Sequence, residues 1–133
     1  MLEESLSLAR EADDGAIIAT ALNDLGVVAR EQGDFTIAES LYQESLALRR
    51  QLGDKCEIAR SLNNLGGVAY ARDEFTRARK LFAESLELYR QAGDRWGAAD
   101  ALLGLGQSLR RERDPSDVTA LLQERRSRAP EPR

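Results

Sequence analysis

LNNLG at residues 62–66 is the stretch that decides the fold, because close copies of it occur as LNDLG at 22–26 and LLGLG at 102–106. The glycines of the three copies are 40 residues apart each time. The same spacing relates ESL at 4–6, 44–46 and 84–86, and GD at 53–54 and 93–94. A register that holds over most of the chain predicts one supersecondary unit repeated in tandem.

Each unit contains two amphipathic segments. In the central unit, apolar residues recur at steps of three and four, first at Ile58, Leu62, Leu65 and Ala69, and then at Phe75, Ala78, Phe82, Leu86 and Tyr89. This spacing is typical of one face of an α-helix. Gly53 and Gly93 can adopt the left-handed conformation that ends a helix, and Asp54 and Asp94 can cap the next one. Asp54 and Glu57 together suggest a capping box.

We expect seven helices, at Leu2–Ala12, Gly15–Glu31, Phe35–Leu52, Lys55–Arg72, Phe75–Ala92, Arg95–Glu112 and Pro115–Arg126. They predict a single all-α array over residues 1–126, with an orphan helix at 2–12 and helix pairs at 15–52, 55–92 and 95–126. Residues 127–133 are expected to form a flexible tail. Gly66 and Gly106 lie within helices, where glycine is unfavourable, so we expect them to allow close approach of a neighbouring helix.

The repeat resembles the tetratricopeptide repeat (TPR) family, whose signature is W-x-x-L-G-x-x-Y followed by A-x-x-x-F. The central copy matches it with Leu62-x-x-Leu65-Gly66-x-x-Ala69 and Ala78-x-x-x-Phe82. Leucine and alanine replace the tryptophan and tyrosine, and the period exceeds the usual value of about 34. Long repeats of this kind are similar to those of kinesin light chains, spindle-orientation adaptors and bacterial multidomain regulators. The resemblance implies a right-handed superhelical solenoid of antiparallel helix pairs that is not an enzyme.

The resemblance also implies that a peptide or partner helix binds along a concave face lined by the first helix of each pair. The positions on these helices that avoid the apolar stripe are Thr20, Asn23, Val27, Arg30, Arg60, Asn63, Gly67, Tyr70, Asp100, Leu103, Gln107 and Arg110. From this set we select as binding residues Asn23, Arg30, Arg60, Asn63, Tyr70, Gln107 and Arg110. Asparagine can bond both polar groups of a peptide backbone, and arginine can bind a carboxylate with two hydrogen bonds. An acidic peptide is therefore the first expectation, and a merely solvated helix face is the alternative.

Composition excludes several other classes of partner. The 133 residues include 19 basic and 23 acidic side chains, a balance that gives no overall preference for nucleic acid. No apolar run approaches the roughly 20 residues of a membrane-spanning helix, and no signal peptide is recognisable. The single cysteine cannot form an internal disulfide. We therefore expect a cytoplasmic protein with no nucleic-acid partner, membrane partner, cofactor, metal or catalytic residue.

Individual residues that could suggest chemistry have plainer interpretations. The serines at positions 5, 45 and 85 follow the 40-residue register, so we interpret them as packing residues. Cys56 lies in a first helical turn, where the helix dipole could lower the pKa of its thiol, but a passive thiol is favoured. Trp96 could be an exposed anchor for a partner, although a side chain folded over the adjacent helix pair is the favoured alternative.

The first helix corresponds to the second member of a pair whose first member is missing. An apolar flank at this end predicts either that the chain is part of a larger protein or that copies self-associate through the uncapped N-terminal helix. The leading functional hypothesis is a protein-protein interaction scaffold. The alternative is a sensor or regulatory segment of a bacterial signalling ATPase or transcription regulator.

Overall fold

The computed structural model describes residues 2–12 and 14–113, which form α-helices joined by short turns and contain no strand. Its six helices are α1 (Leu2–Ala12), α2 (Gly15–Glu31), α3 (Phe35–Leu52), α4 (Lys55–Ala71), α5 (Phe75–Ala92) and α6 (Arg95–Glu112). Five of these have the predicted bounds. Helix α4 ends one residue earlier than predicted, because Arg72 is its C-cap and its backbone N–H closes the last turn. The seventh predicted helix, Pro115–Arg126, and the tail at 127–133 lie outside the described residues.

The ends of the helices follow the expected chemistry. Side-chain oxygens of Asp14, Asp54 and Asp94 accept hydrogen bonds from first-turn backbone N–H groups of α2, α4 and α6 at 2.9 to 3.2 Å. Gly53 and Gly93 end α3 and α5 with φ values of 77° and 74°. Only glycine adopts this left-handed conformation without a steric penalty. The predictions for these caps are confirmed.

The helices form two layers. The side chain of Asn64 on α4 donates a hydrogen bond of 2.7 Å to Asn23 on α2, and α4 also packs directly against α6. Arg50 on α3 forms an ion pair of 3.3 Å with Glu84 on α5. Helices α2, α4 and α6 are therefore neighbours in the inner layer, and α3 and α5 are neighbours in the outer layer. Helix α1 corresponds to α3 and α5 in the 40-residue repeat.

Aromatic rings from the outer layer fill the space left by glycines of the inner layer. Tyr42 and Phe82 occupy equivalent positions in α3 and α5, and both are buried. A Cβ on Gly26 would lie 2.7 Å from Tyr42 Cε1, and one on Gly66 would lie 2.9 Å from Phe82 Cε1. The expected packing role of Gly66 is confirmed. Among the described residues, nothing lies within 4 Å of a Cβ added to Gly106.

The repeated serines also connect the layers. The Ser45 hydroxyl donates to the carbonyl oxygen of Ala19 at 2.7 Å, and the Ser85 hydroxyl donates to that of Ala59 at 2.8 Å. Both serines are buried, so each hydroxyl satisfies a hydrogen bond inside the protein. The interpretation as packing residues is confirmed for Ser45 and Ser85, but it is wrong for Ser5, which is exposed.

Candidate binding face

The inner layer presents the positions that we selected as binding residues, but they differ in accessibility. The exposed ones are Arg60 and Arg110, the half-buried ones are Arg30, Asn63, Tyr70 and Gln107, and the buried one is Asn23. We call the first six the inner face. It runs across α2, α4 and α6.

Asn23 does not belong to the inner face. Only 7% of its surface is exposed, and its Oδ1 accepts the hydrogen bond from Asn64 Nδ2 that joins α2 to α4. Its amide oxygen is therefore used within the protein, and the expectation that it contacts a partner is corrected. The signal in the sequence was Asn64, an amide side chain on the neighbouring helix that can donate to Asn23.

Asn63 is the other member of this pattern, and its amide oxygen is buried without a hydrogen-bond partner among the described residues. The repeat explains why: Asn63 is equivalent to Asn23, but the residue equivalent to Asn64 is Gly104. A Cβ on Gly104 would lie 2.5 Å from Phe82 Cε1, so no side chain fits there. A buried acceptor without a donor costs about 1 to 3 kcal/mol. The inner face therefore carries one unsatisfied acceptor between α4 and α6.

Two arginines of the inner face have no carboxylate within ion-pair distance among the described residues, namely Arg30 and Arg110. The guanidinium of Arg30 extends from α2 onto α4, where a Cβ on Gly67 would lie 3.4 Å from its Nη1. The small residue thus leaves room for the arginine head group. Tyr70 lies one turn further along α4, with its ring edge-on to Phe75 at 5.3 Å.

Arg60 is exposed but already has partners. Its Nη1 lies 3.0 Å from Glu57 Oε1, and the other oxygen of Glu57 lies 3.0 Å from Arg49 Nη2. Arg60 also lies beside the hydroxyl of Tyr89, where its charge opposes the rise in the pKa of Tyr89 that burial causes. Because the Glu57 carboxylate binds two arginines, the proposed capping box is only half formed: Asp54 caps Glu57 N, and Glu57 does not reciprocate.

Arg49 is the main residue that sequence reasoning missed. It lies in α3 with 2% of its surface exposed, and it donates to Ser61 Oγ at 2.8 Å and to the carbonyl oxygen of Glu57 at 3.4 Å. Burial lowers the pKa of Arg49, and the adjacent Glu57 carboxylate opposes that shift. The available signal was an arginine at the position where the next repeat has the apolar stripe residue Tyr89.

Trp96 is 88% exposed, so the favoured expectation that it folds over the adjacent helix pair is wrong. It lies in the first turn of α6, and helical side chains point toward the N-terminus. A side chain in that turn therefore extends past the end of its own helix. Leu103, two turns later on the same side of α6, is 62% exposed. This geometry fits the alternative interpretation of Trp96 as an anchor.

Cys56 has the opposite pKa shift from the one that the helix dipole suggested. Burial, together with the Asp94 and Asp54 carboxylates, raises the pKa of its thiol. Its Sγ donates to Asp94 Oδ2 at 3.8 Å, a hydrogen bond that also favours the protonated form. The interpretation of Cys56 as a passive thiol remains.

A sequence model described as tetratricopeptide repeat matches residues 1–51 and 57–131. These two matches together cover nearly the whole chain. The chain belongs to the tetratricopeptide repeat family. TPR arrays generally mediate protein-protein interaction, and the family is one of non-catalytic repeat scaffolds. The resemblance based on the motif around Leu62–Gly66 is thereby confirmed.

A solved structure shares the TPR fold of this chain. The crystal structure of BtubC (BKLC) from P. vanneervenii superposes with a TM-score of 0.75 at 20% sequence identity. The superposition covers 99% of this chain and 58% of the other, so the chain spans little more than half of that protein's length. No curated protein matches the sequence. Among the described residues, no helix is long and apolar enough to cross a membrane.

Proposed function

We propose that this TPR array binds an extended segment of a partner protein along its inner face, which is the concave face of the superhelix, and that the segment carries acidic side chains. The observation that carries the proposal is the half-buried position of Arg30 on the inner face, where it has no ion-pair partner among the described residues. On the outer layer, Arg50, Arg77 and Arg79 each form an ion pair with a carboxylate of a neighbouring helix, and the cations of α5 that have no ion pair among the described residues, Lys80 and Arg90, are exposed. On the inner face, Arg30 and Arg110 have no such partner among the described residues.

The half-buried position of Arg30 supports a binding role over a merely solvated face. Arg30 is half-buried and has no carboxylate within ion-pair distance among the described residues, so a ligand carboxylate would gain a charge-assisted hydrogen bond there. Arg60 is less available, because a ligand would have to displace the Glu57 carboxylate. We therefore assign the charge recognition to Arg30 and Arg110, with Tyr70 and Gln107 as polar neighbours. The proposed role requires binding alone and no catalytic step.

Synthetic peptides test this proposal without knowledge of the natural partner. The intact chain is applied to an array of immobilised octapeptides, half of which carry two glutamates, while their matched counterparts carry glutamine instead. The strongest binder is then labelled with fluorescein, and its affinity is measured by fluorescence polarisation. We expect selective binding of glutamate peptides that weakens as salt is raised, because salt screens exposed charges.

Charge reversal locates the site. Arg30→Glu is expected to weaken binding of that octapeptide at least tenfold, since it replaces attraction by repulsion. The control is Lys80→Glu on the outer layer, an exposed cation of α5 that has no ion pair among the described residues. Equal effects of the two substitutions, or the absence of any binding octapeptide, would contradict the proposal.

A further inference from the structure

We propose that the chain self-associates head to tail, with α6 of one copy lying in the cleft between α1 and α2 of the next. In this contact, Ser5 donates a hydrogen bond to the backbone carbonyl of Ala99, and Asp24 pairs with Arg110. The partner of this surface is therefore a second copy of the chain. The contact is separate from the proposed peptide binding, in which Arg30 on α2 has the main role.

The cleft between α1 and α2 has two counterparts inside the array. The cleft between α3 and α4 holds α2, and the cleft between α5 and α6 holds α4. The cleft between α1 and α2 is lined by Leu2, Ser5, Ile17, Ala21 and Asp24, and no described helix fills it. Its counterparts indicate that it fits a helix of the inner layer. Helix α6 is the inner-layer helix whose far side no described helix covers.

The far side of α6 is apolar. Leu102 on this side is 52% exposed, whereas its equivalent one repeat earlier, Leu62, is 1% exposed. The difference arises because α5 and α6 follow α4, whereas no described helix follows α6. Burial of Leu102 and the neighbouring Leu103 against a second copy removes apolar surface from water, which drives most protein association.

Trp96 is the anchor of this contact. It is equivalent to Cys56, whose Sγ lies 3.8 Å from Asp94 Oδ2 at the start of the following inner-layer helix. The residue equivalent to Asp94 in the next copy is Asp14, which caps α2 close to the exposed Ile17. Trp96 therefore extends toward the start of α2 in that copy. A tryptophan buried in this way is a frequent energetic centre of protein interfaces.

Ser5 carries the donor that this side of α6 can accept. Its equivalents Ser45 and Ser85 are fully buried, and each hydroxyl donates to a backbone carbonyl of the adjacent inner-layer helix. Ser5 is exposed and makes no hydrogen bond among the described residues. In the register of the repeat, the matching carbonyl on α6 is that of Ala99. A second copy thus supplies the same hydrogen bond across the contact.

Residues 115–126 of the same chain are the other candidate for covering α6. In the register of the repeat, Arg125 stands where the two earlier repeats have the buried serine. An arginine at such a position would bury a charge, which is costly without a partner. Ser5 of a second copy fits the same position without this cost. The half of α6 around Ala99 is therefore better suited to a second copy.

The charges at the contact are complementary. Arg110 and Asp24 each have no ion-pair partner among the described residues. Arg110 is equivalent to Arg30, whose guanidinium lies over Gly67 on the following inner-layer helix. The residue equivalent to Gly67 in the next copy is Val27, and Asp24 lies one turn before it on the same face. Arg110 therefore reaches Asp24, and within an assembly the peptide carboxylate is left to Arg30.

Sedimentation velocity of the intact chain, at concentrations from about 1 μM to about 1 mM, tests the contact. We expect the weight-average mass to rise with concentration beyond that of a dimer. The reason is that a head-to-tail contact leaves both outer surfaces of each complex free to bind further copies.

Ser5→Arg should raise the Kd of self-association about tenfold or more, because the new charge loses its water beside Ala99. Ser5 is exposed within one copy, so circular dichroism of the variant should show native helicity. The matched control is Ser7→Arg on the same helix. Ser7 and its equivalents Ala47 and Glu87 are all exposed, so this variant should self-associate as the native chain does.

A pair of charge reversals tests the direction of the contact. Arg110→Asp and Asp24→Arg each place like charges in it, so either variant alone should self-associate about tenfold more weakly. In an equimolar mixture, every junction between unlike variants again joins an arginine to an aspartate. The mixture should therefore self-associate about as tightly as the native chain, in complexes that neither variant forms alone.

Several results would overturn the head-to-tail contact. A native chain that stays monomeric at about 1 mM leaves the far side of α6 to residues 115–126 or to a different protein. A mass that stops at that of a dimer indicates a symmetric contact instead. Equal behaviour of Ser5→Arg and Ser7→Arg, or a mixture that associates no more tightly than its components, contradicts the assigned pairs. The peptide binding is measured separately, on dilute chain with the labelled octapeptide and Arg30→Glu, and stands or fails by that measurement.

Discussion

Arg49 and Tyr89 occupy equivalent positions in consecutive repeats, and each is buried by a different set of neighbours. Arg49 is held by the carboxylate of Glu57 and the hydroxyl of Ser61. One repeat later, the residue equivalent to Glu57 is Gly97, and a Cβ there would overlap the Tyr89 ring. The charged side chain and the aromatic one are thus each matched by the first turns of the helix that follows.

We expect Arg49→Met to lower the free energy of unfolding by about 2 to 3 kcal/mol, because Ser61 loses a hydrogen-bond partner and Glu57 loses a buried counter-charge. The partial exposure of Glu57 keeps this effect at the lower end for a broken buried pair. Urea denaturation followed by circular dichroism measures it. The matched control is Arg50→Met, which breaks an exposed ion pair and should cost at most about 1 kcal/mol. Equal losses for the two variants would show that Arg49 is not specially stabilising.

Gly104→Ala should destabilise the array by about 1 to 3 kcal/mol, because the new methyl group overlaps the Phe82 ring. Gly67→Ala is the control at a second glycine within a helix of the inner layer. There the added methyl meets only the mobile end of Arg30, while alanine improves helix propensity by about 1 kcal/mol. Thermal unfolding should give a lower melting temperature for Gly104→Ala than for Gly67→Ala. Similar melting temperatures would contradict the close packing of Phe82 on α6.

The thiol of Cys56 should react slowly with iodoacetamide at pH 8, because its raised pKa keeps it protonated where an unperturbed thiol has begun to ionise. In the same sense, the folded state holds this proton more tightly than the unfolded chain does. The contribution of this proton to the free energy of unfolding is fully present below the ordinary thiol pKa, and it is lost as the pH rises through the pKa of Cys56 in the folded state. Asp94→Asn keeps the oxygen that caps α6 and removes the charge, so it should accelerate alkylation. An unchanged rate would remove Asp94 from this account.

The fluorescence of Trp96, the single tryptophan of the chain, should resemble that of tryptophan in water and be quenched efficiently by acrylamide. Binding of the octapeptide along α6 should reduce this quenching if the anchor interpretation of Trp96 is correct. The Lys80→Glu variant, altered on the outer layer, should show the same protection. Protection that fails to appear at saturating peptide would place the bound segment away from the start of α6.

The helices and their caps could be predicted from the sequence because they depend on local spacing. Glycine and aspartate at 53–54 and 93–94 determine their own turns, whatever packs nearby. The hydrogen bonding of the inner-layer asparagines could not be predicted in the same way, since it depends on residues about 40 positions apart. Asn23 and Asn63 look equivalent along the chain, and only the contents of positions 64 and 104 make one of them satisfied and the other not.

Side-chain partners across helices account for the remaining differences. The burial of Arg49 requires two partners in α4 that its own helix does not reveal. The exposure of Trp96 follows from its place in the first turn, which hydrophobicity alone does not indicate. The pKa of the Cys56 thiol is raised by burial and by the carboxylates of Asp94 and Asp54, and Asp94 lies 38 residues away in the sequence.

Arg49 and Tyr89 need different neighbours in the helix that follows, and this limits how the array can be lengthened by duplication of a repeat. Duplication of the unit 55–94 would set Tyr89 against a second copy of Glu57 and Ser61, where the ring needs the space left by Gly97. A longer protein would thus arise with a steric clash at the new boundary and would need a compensating change before selection could retain it. The repeats have the same helix arrangement, but the contacts between consecutive repeats differ. Artificial arrays should therefore be assembled from segments that keep each pair of contacting helices together.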